Sequence, residues 1–354
     1  MKIVAGMGSI DDYLRLVKAG ADEVFCGYVP YMWNKKYGNL FALNRREVLY
    51  YNVQINSFGD MKILKKMVDQ YKVPVSITFN YLYYLEEQYE MVAQMIKDLI
   101  QIGFNDFILA DIGLLLYLKE KNVKCSIQLS GETAEINRLS IEFFNNLNCN
   151  ISRYIFHRKN SIEDMKSCIT HNKGKNFQYE AFILNERCHY TGAFCNSLHC
   201  DEMIHLCKMP YQMAKVKEQA NHFETVDRSF KFYYDQIDGD SLEEYDIEYG
   251  ENKENKENKR NTENEEEQED TYRLGSTGCG LCSLKRLQEA GVTHLKVVGR
   301  GNFIELMEKD VQNLKKAITM LDDTEDSKTY EKRVKAQLLP GKCSGECYYD
   351  FPMR

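Results

Sequence analysis

The chain has 354 residues, of which 44% are hydrophobic, so it can bury one large core or two modest ones. The first residues, MKIVAGMGSIDDYLRL, lack the apolar run of a signal peptide, and no stretch approaches the roughly 18 apolar residues of a membrane span. We therefore expect a cytoplasmic protein, in which twelve cysteines favour metal binding or catalysis over a disulfide framework. Four of these cysteines stand singly in apolar or helical patterns and are predicted to be buried free thiols: Cys26, Cys125, Cys149 and Cys168.

The net charge is distributed unevenly along the chain. Residues 238–270 hold 15 acidic and 4 basic residues, a net charge of −11; since the whole chain carries −7, the remainder carries +4. This Glu/Asn/Lys tract has almost nothing to bury and predicts an acidic low-complexity insert over 238–271, tolerated at the surface. An acidic recognition arm is the alternative. The mildly basic remainder permits an anionic ligand.

Strand and helix patterns alternate along the chain. The first strands are predicted at 2–5 and 23–28, around a helix at 10–19, and an aromatic connection then leads to helical sequence from about residue 44. Further strands are predicted at 73–80, 106–110, 124–129, 151–157 and 177–184, with helices between them at 86–102, 112–121, 134–147 and 162–169. The last unit is a helix at 283–290, a strand at 294–298 and a helix at 303–321.

Eight strands joined by helical crossovers predict an α/β fold, a TIM-like (β/α)8 barrel over residues 1–322. An open doubly wound sheet is the alternative, but no Gly-rich phosphate fingerprint follows the first strand. A cysteine-rich loop subdomain is predicted after the seventh strand, over 185–282, and a C-terminal tail with a CxxxC pair over 323–354. A connection of about 95 residues is far longer than usual, so it is either a functional subdomain at the C-terminal face or evidence against this assignment.

The stretch NERCHYTGAFCNSLHCDEMIHLCKMPYQ concentrates four cysteines and three histidines. Six residues separate Cys188 from Cys195 and eleven separate Cys195 from Cys207, while one CxxC pair, Cys279 and Cys282, follows the insert. This irregular spacing favours an iron–sulfur cluster over structural zinc, because thiolates can reach a cubane from scattered loop positions. The other soft ligands are interpreted as spare thiols or a second metal site, and as solvent-facing histidines: Cys200, Cys279, Cys343, Cys347, His189, His199 and His205.

Several segments resemble the signature of the collagenase-like peptidase family: YEAFILNERCHYTGAFC, HLCKMPY and CGLCSLKRLQEAGVTHLKVVGR, with LVKAGADEVFCG, VSITFN, ILADIGLL and RYIFHRKNSIEDM upstream. The resemblance covers residues 1–320 apart from the insert. It implies a TIM-like barrel with a 4Fe-4S cluster on Cys188, Cys195, Cys207 and Cys282. It also implies oxygen-independent hydroxylation of an RNA base, a peptide side chain or a small aromatic, for which some members use prephenate as co-substrate.

Polar residues at strand ends are the candidate substrate contacts. Arg158 ends the sixth strand, where a guanidinium suits a carboxylate or phosphate, and Arg300 is a further anion-binding candidate after the last strand. Asn80 and Glu180 are predicted to position the acceptor, and Asp111 is another candidate contact. The alternatives are a surface salt bridge for Arg158 and strand-to-strand ties for the others.

Two other functions fit the same residues. The first is a peptidase with structural cysteines, although no zinc-helix motif or serine elbow is present. The second is a non-catalytic metal-binding scaffold, favoured by Val298, which stands where the family has a glutamate. The expected partners are RNA, a peptide or a small molecule, and a heterodimer with a paralogue is a further hypothesis.

Overall fold

The computed structural model describes residues 1–38, 41–45, 53–133, 136–188, 214–216, 223–225, 272–340 and 343–349. The chain divides into a large unit, Met1–Cys207 with Tyr272–Arg354, and a small unit, Lys208–Thr271. Within the small unit, Ala214–Val216 and Phe223–Thr225 form an antiparallel pair of strands, β9 and β10. No helix in the described ranges is both long and apolar enough to cross a membrane.

The large unit contains a closed barrel of eight parallel strands. In ring order these are Lys2–Met7 (β1), Glu23–Tyr28 (β2), Val75–Phe79 (β4), Asp106–Leu109 (β5), Ser126–Leu129 (β6), Ile151–Ile155 (β7), Gln178–Leu184 (β8) and His294–Val297 (β11). The ring closes because β1 pairs with both β11 and β2. The prediction of a TIM-like barrel is confirmed.

Amphipathic helices surround the barrel and bury their apolar faces against it. They are Asp12–Ala19 (α1), Phe58–Tyr71 (α3), Glu86–Gln101 (α4), Ile112–Glu120 (α5), Arg138–Asn146 (α6), Ile162–His171 (α7), Leu284–Ala290 (α8) and Ile304–Thr319 (α9). Polar side chains fix several of their starts: Ser57 Oγ accepts the Asp60 N–H, and Ser161 Oγ accepts the Asp164 N–H.

Three elements were not predicted. The aromatic connection after β2 contains the short helix Tyr31–Tyr37 (α2), whose buried Trp33 donates from Nε1 to the Phe41 carbonyl at 2.7 Å. The two-residue strand Gln54–Ile55 (β3) pairs with β2 outside the ring. Helix Ser327–Leu338 (α10) lies in the predicted tail and packs through Tyr330, whose hydroxyl donates to the Ala317 carbonyl at 2.9 Å.

The barrel interior contains a charged core made of Glu23, Arg153, Glu180, His294 and Lys296. Arg153 donates to Glu23 at 2.5 Å and to Glu180 at 2.8 Å, and Lys296 donates to Glu180 at 2.6 Å. His294 Nε2 lies 3.0 Å from Glu23. Burial on its own would raise the pKa of Glu23, but the His294 hydrogen bond and the Arg153 charge lower it to about 2. These partners neutralise one another, so the charges are tolerated in a dry interior.

Candidate active site

A cavity of about 60 Å³ opens at the C-terminal ends of the barrel strands, the face on which barrel enzymes place their active sites. The mouth of this cavity is defined here by six polar lining residues: Arg45, Thr78, Asn80, Glu132, Arg158 and Arg300. Most of them follow strand ends, because the loops after parallel strands converge at this face. Its volume suits a few water molecules or one carboxylate-sized group.

Arg158 is a buried cation of the mouth. Its Nη1 donates to Glu132 Oε1 at 2.8 Å, and its guanidinium carbon lies 4.1 Å from the centre of the Phe182 ring. Burial would lower the pKa of Arg158, but the charge of Glu132 outweighs it and the pKa is raised. Arg158 Nε has no hydrogen-bond partner among the described residues. A permanently charged group with an unused buried donor is suited to bind an anion.

Arg300 lies across the first two strands of the barrel. Its Nη1 donates to Thr78 Oγ1 at 2.9 Å. A Cβ at Gly27 would lie 2.7 Å from that Nη1, and a Cβ at Gly6 would lie 3.2 Å from Arg300 Cγ. The side chain can take this path because β1 and β2 have glycine at these points.

The mouth has an excess of positive charge. Arg45 Nε lies 3.7 Å from Glu132 Oε2, so Glu132 is shared between Arg45 and Arg158. Lys296 also lines the cavity, but its charge is matched by Glu180 in the charged core. Among the described lining residues, the three arginines and the two carboxylates, Glu132 and Glu186, sum to one formal positive charge.

The structure brings together three of the predicted contacts, Asn80, Arg158 and Arg300. Glu180 lies elsewhere: it is fully buried in the charged core, two residues before the cavity-lining Phe182. Asp111 caps α5 by accepting from Gly113 at 2.6 Å, and it also accepts the Tyr84 N–H at 2.6 Å. The carboxylate of Asp111 thus ties loops together, which was the alternative considered for it.

Two of the four predicted cluster cysteines lie within the described residues. Cys188 and Cys282 are both half-buried. Both lie near the C-terminal end of β8. Cys188 follows Arg187, whose N–H donates to the Thr277 carbonyl at 2.7 Å, and Cys282 lies three residues after Cys279, which forms a β-bridge with Leu184. Six further candidates fall outside the described residues: Cys195, Cys200, Cys207, His189, His199 and His205. No group of three His, Cys, Asp or Glu side chains in the described part of the chain is placed to hold a metal ion.

The sequence matches the profile of Peptidase family U32 over residues 8–342. The chain belongs to this family. No curated protein matches the sequence of this chain.

Several solved structures are similar to this U32 chain at low identity. They include the U32 peptidase Mk0906, at 11% identity and TM-score 0.41, with 55% of this chain and 73% of that chain covered. The native KDPGal structure has 7% identity and TM-score 0.43 over 92% of this chain and 97% of that one. Dihydrodipicolinate synthase from Bacillus clausii has 8% identity and TM-score 0.43 over 96% and 79%. The family assignment rests on the sequence profile alone.

A segment that follows the family match docks at the end of β8. The C-terminal segment Cys343–Tyr349 pairs with Cys279: Cys279 N–H donates to the Glu346 carbonyl at 2.8 Å, and Tyr348 N–H donates to the Cys279 carbonyl at 2.9 Å. The sequence associated Cys343 and Cys347 with Cys279 as ligands of a second metal site or as a loop that folds back, but the CxxxC spacing indicates nothing about which strand the segment meets. The paired tyrosines that follow Cys347 were the available signal, since two adjacent aromatics in a tail must bury somewhere.

Proposed function

We propose that this U32 protein is an iron–sulfur enzyme that hydroxylates an RNA base, a peptide side chain or a small aromatic without oxygen. The observation that carries the proposal is the cation-rich mouth, in which Arg158 is buried with an unused donor beside Arg300. An enclosed arginine pair suits a carboxylate-bearing co-substrate, and prephenate has this chemistry. Two of the cysteines that would hold a cluster, Cys188 and Cys282, lie near the same end of the barrel, close to the Leu184–Cys279 bridge.

The cluster would be held by Cys188, Cys195, Cys207 and Cys282. Thiolates are the ligands that iron–sulfur clusters take, so the donor set has the right chemistry. Of these four, Cys188 and Cys282 are described, and their half-buried thiols leave room for a bound group at the protein surface. When bound, the cluster supplies one-electron chemistry that amino-acid side chains lack.

The chain's own residues would bind and orient the reactants. Arg158 and Arg300 would hold the carboxylate of the co-substrate from two sides of the cavity. Asn80 would donate to the acceptor, because its Oδ1 already accepts the Arg45 N–H at 3.2 Å and its amide orientation is thereby fixed. Glu180 would act indirectly, because it accepts a hydrogen bond from the Lys296 ammonium and so holds this cavity-lining group in place.

A peptidase is the second candidate, since the family is described as peptidases. Peptide hydrolysis needs a nucleophile or a general base that can activate water. None of the described residues that line the cavity is a cysteine or histidine, and Glu132 is engaged by two arginines. A non-catalytic scaffold is the third candidate, supported by the apolar Val298 in the cavity lining.

Iron and acid-labile sulfide analysis of protein purified without oxygen tests the cluster. We expect about four irons and four sulfides per chain, as for one cubane. Cys188→Ala should lose most of both, whereas Cys149→Ala should retain them, because Cys149 is a buried thiol before β7 at the opposite end of the barrel. Zinc without sulfide, or full iron in Cys188→Ala, would contradict the cluster assignment.

A second assay separates the hydroxylase from the peptidase. Anaerobic incubation with prephenate and each acceptor class should add one oxygen atom to the acceptor, detected by mass spectrometry. Cleavage of denatured collagen that persists after the iron is removed would instead support the peptidase. Iron binding with neither activity, in the presence of a bound partner protein, would support the scaffold.

A further inference from the structure

Glu132 reaches the mouth from the loop that follows β6. Gly131 makes this path possible, because a Cβ there would lie 2.8 Å from the Ile155 carbonyl oxygen at the end of β7. The Glu132 N–H donates to Ser130 Oγ at 3.2 Å, and the residue is 9% exposed. The backbone of Glu132 is therefore held close to the strand end that precedes Arg158.

The carboxylate of Glu132 contacts two arginines of the mouth. Arg158 Nη1 donates to Glu132 Oε1 at 2.8 Å, and Arg45 Nε lies 3.7 Å from the other carboxylate oxygen, Oε2. Both arginines are buried. The guanidinium carbon of Arg158 also lies 4.1 Å from the centre of the Phe182 ring. Glu132 and Phe182 together fix the Arg158 guanidinium at one end and on one face.

These contacts leave one edge of the Arg158 guanidinium for a ligand. In any arginine, Nε–H and Nη2–H point along the edge that excludes Nη1, and this edge matches the two oxygens of a carboxylate. Glu132 takes Nη1, whereas the buried Nε has no hydrogen-bond partner among the described residues. Glu132 and a ligand carboxylate would therefore bind different parts of the same guanidinium.

We propose that Glu132 is a positioning residue, which holds Nη1 of Arg158 so that the Nε edge can bind the carboxylate of a ligand. The inference rests on the anion site of the proposed function but not on the iron–sulfur cluster. It assigns an acidic side chain to the binding of an anion, although the charge of Glu132 by itself repels one.

The physical reason is preorganisation. A free arginine side chain loses considerable rotamer entropy when it binds a ligand, and a guanidinium already held by neighbours loses less. The shared carboxylate also offsets the repulsion between Arg45 and Arg158. Glu132 therefore has two opposite effects on a bound anion: its charge weakens binding, and its hydrogen bond to Arg158 strengthens it.

Binding of malonate, a plain dicarboxylate, separates these two effects in the full-length protein. The dissociation constant is obtained from the malonate-dependent rise in the free energy of unfolding. Glu132→Gln and Glu132→Met both remove the charge, but only the glutamine variant keeps an acceptor oxygen for Arg158 Nη1. Glu132→Met should therefore bind malonate about three- to tenfold more weakly than Glu132→Gln, the effect of one lost hydrogen bond. Equal affinities would overturn the inference.

Glu163 on α7 provides the matched control. Arg286 Nη2 donates to Glu163 Oε1 at 3.1 Å, and neither residue lines the cavity. Glu163→Gln and Glu163→Met should bind malonate with the same affinity, and a difference as large as that at Glu132 would contradict the positioning role.

Glu132→Asp tests the same role without a change of charge. The shorter side chain withdraws the carboxylate from Arg158 Nη1 and should weaken malonate binding about threefold. This variant decides the question if Glu132→Met does not fold, and an affinity equal to that of the wild type would count against the inference.

A double-mutant cycle shows whether the effect of Glu132 passes through Arg158. In an Arg158→Met background, the malonate affinities of Glu132→Gln and Glu132→Met should differ by less than about 1.5-fold. A difference that persists undiminished would mean that residue 132 acts on malonate itself and would overturn the inference. So would failure of malonate to bind the wild type. If the expected pattern is found in protein that binds no iron, the inference stands and the hydroxylase proposal fails.

Discussion

The charged core and the mouth use the same residue types for different ends. In the charged core, Arg153 and Lys296 are matched by Glu23 and Glu180 at short distances, and the groups satisfy one another. In the mouth, Arg45 and Arg158 share Glu132, and Arg158 Nε has no partner among the described residues. The two regions differ in whether their buried charged groups have all their hydrogen-bond partners, and not in residue types. A buried charge with all its partners present holds the fold, whereas a buried charge with unused capacity is available to a ligand.

The largest expected effect comes from breaking the charged core. Arg153→Met should lower the free energy of unfolding by about 3–5 kcal/mol, because Glu23 and Glu180 would lose a buried partner. Arg158→Met removes the same group from the mouth and should cost only about 1–3 kcal/mol, because Glu132 keeps Arg45. Urea denaturation of both variants measures the contrast. Equal losses would show that the mouth is as structural as the core.

A second prediction concerns the position of Arg300 in the mouth. Gly27→Ala would place a methyl group 2.7 Å from Arg300 Nη1 and should displace that side chain from Thr78. We expect about a tenfold loss of malonate affinity, with the barrel retained, since one charge-assisted hydrogen bond is affected. Gly59→Ala, on α3, is the control and should bind malonate normally. Unchanged affinity in Gly27→Ala would remove Arg300 from the anion site.

Acid should affect the neighbourhood of the mouth before the charged core. Burial lowers the pKa of His157 to about 4, from an ordinary value of 6.5. In this pH range His157 binds a proton in the unfolded chain but stays neutral in the folded chain, so the free energy of unfolding falls as the pH drops from 6.5 towards 4. The pKa of Glu23 is lowered to about 2, so its contribution is lost only as the pH falls from 4.5 towards 2.

Urea denaturation at a series of pH values measures this order. His157→Gln should flatten the decline between pH 6.5 and 4 while leaving the decline at lower pH in place. A decline of the same size in His157→Gln would show that another group titrates in that window.

The smallest expected effect is that of removing the acidic insert. Deletion of residues 238–270 should leave the melting temperature of the protein within about 2 °C of the full chain, because the tract has little apolar surface to bury. Differential scanning calorimetry checks this. A large drop would show that the insert contributes to the fold.

The barrel could be predicted from the sequence because each strand and helix carries its own periodicity. The strand at Glu23–Tyr28 and the helix starts at Glu86, Ile112 and Ile162 agree with the prediction. For Glu180 a tie between strands was the alternative considered, but its partners in the charged core were missed although their signal was present: Glu23, Arg153, Glu180 and Lys296 are single charges inside otherwise apolar strands. Lone charges in buried strands indicate partners of opposite sign across the barrel, and nothing local identifies which partners they are.

The placement of some cavity residues could be predicted. Asn80, Arg158 and Arg300 line one cavity because parallel strands end at one face and their last polar residues converge there. Glu132 and Arg45 lie in loops, whose paths the sequence pattern does not determine, and they were missed. The stacking of Tyr348 on Phe182 joins residues 166 positions apart, and no periodicity or spacing connects them.

The docking of the C-terminal segment has a consequence for the order in which the protein matures. A nascent polypeptide made only as far as residue 340 already contains all eight barrel strands and α10, yet it lacks Tyr348 and Tyr349, which pack against Phe182 of β8. Because domains can fold as they emerge during synthesis, the barrel can close before these tyrosines dock. The barrel can therefore form first, and the segment that covers the end of β8 is added afterwards.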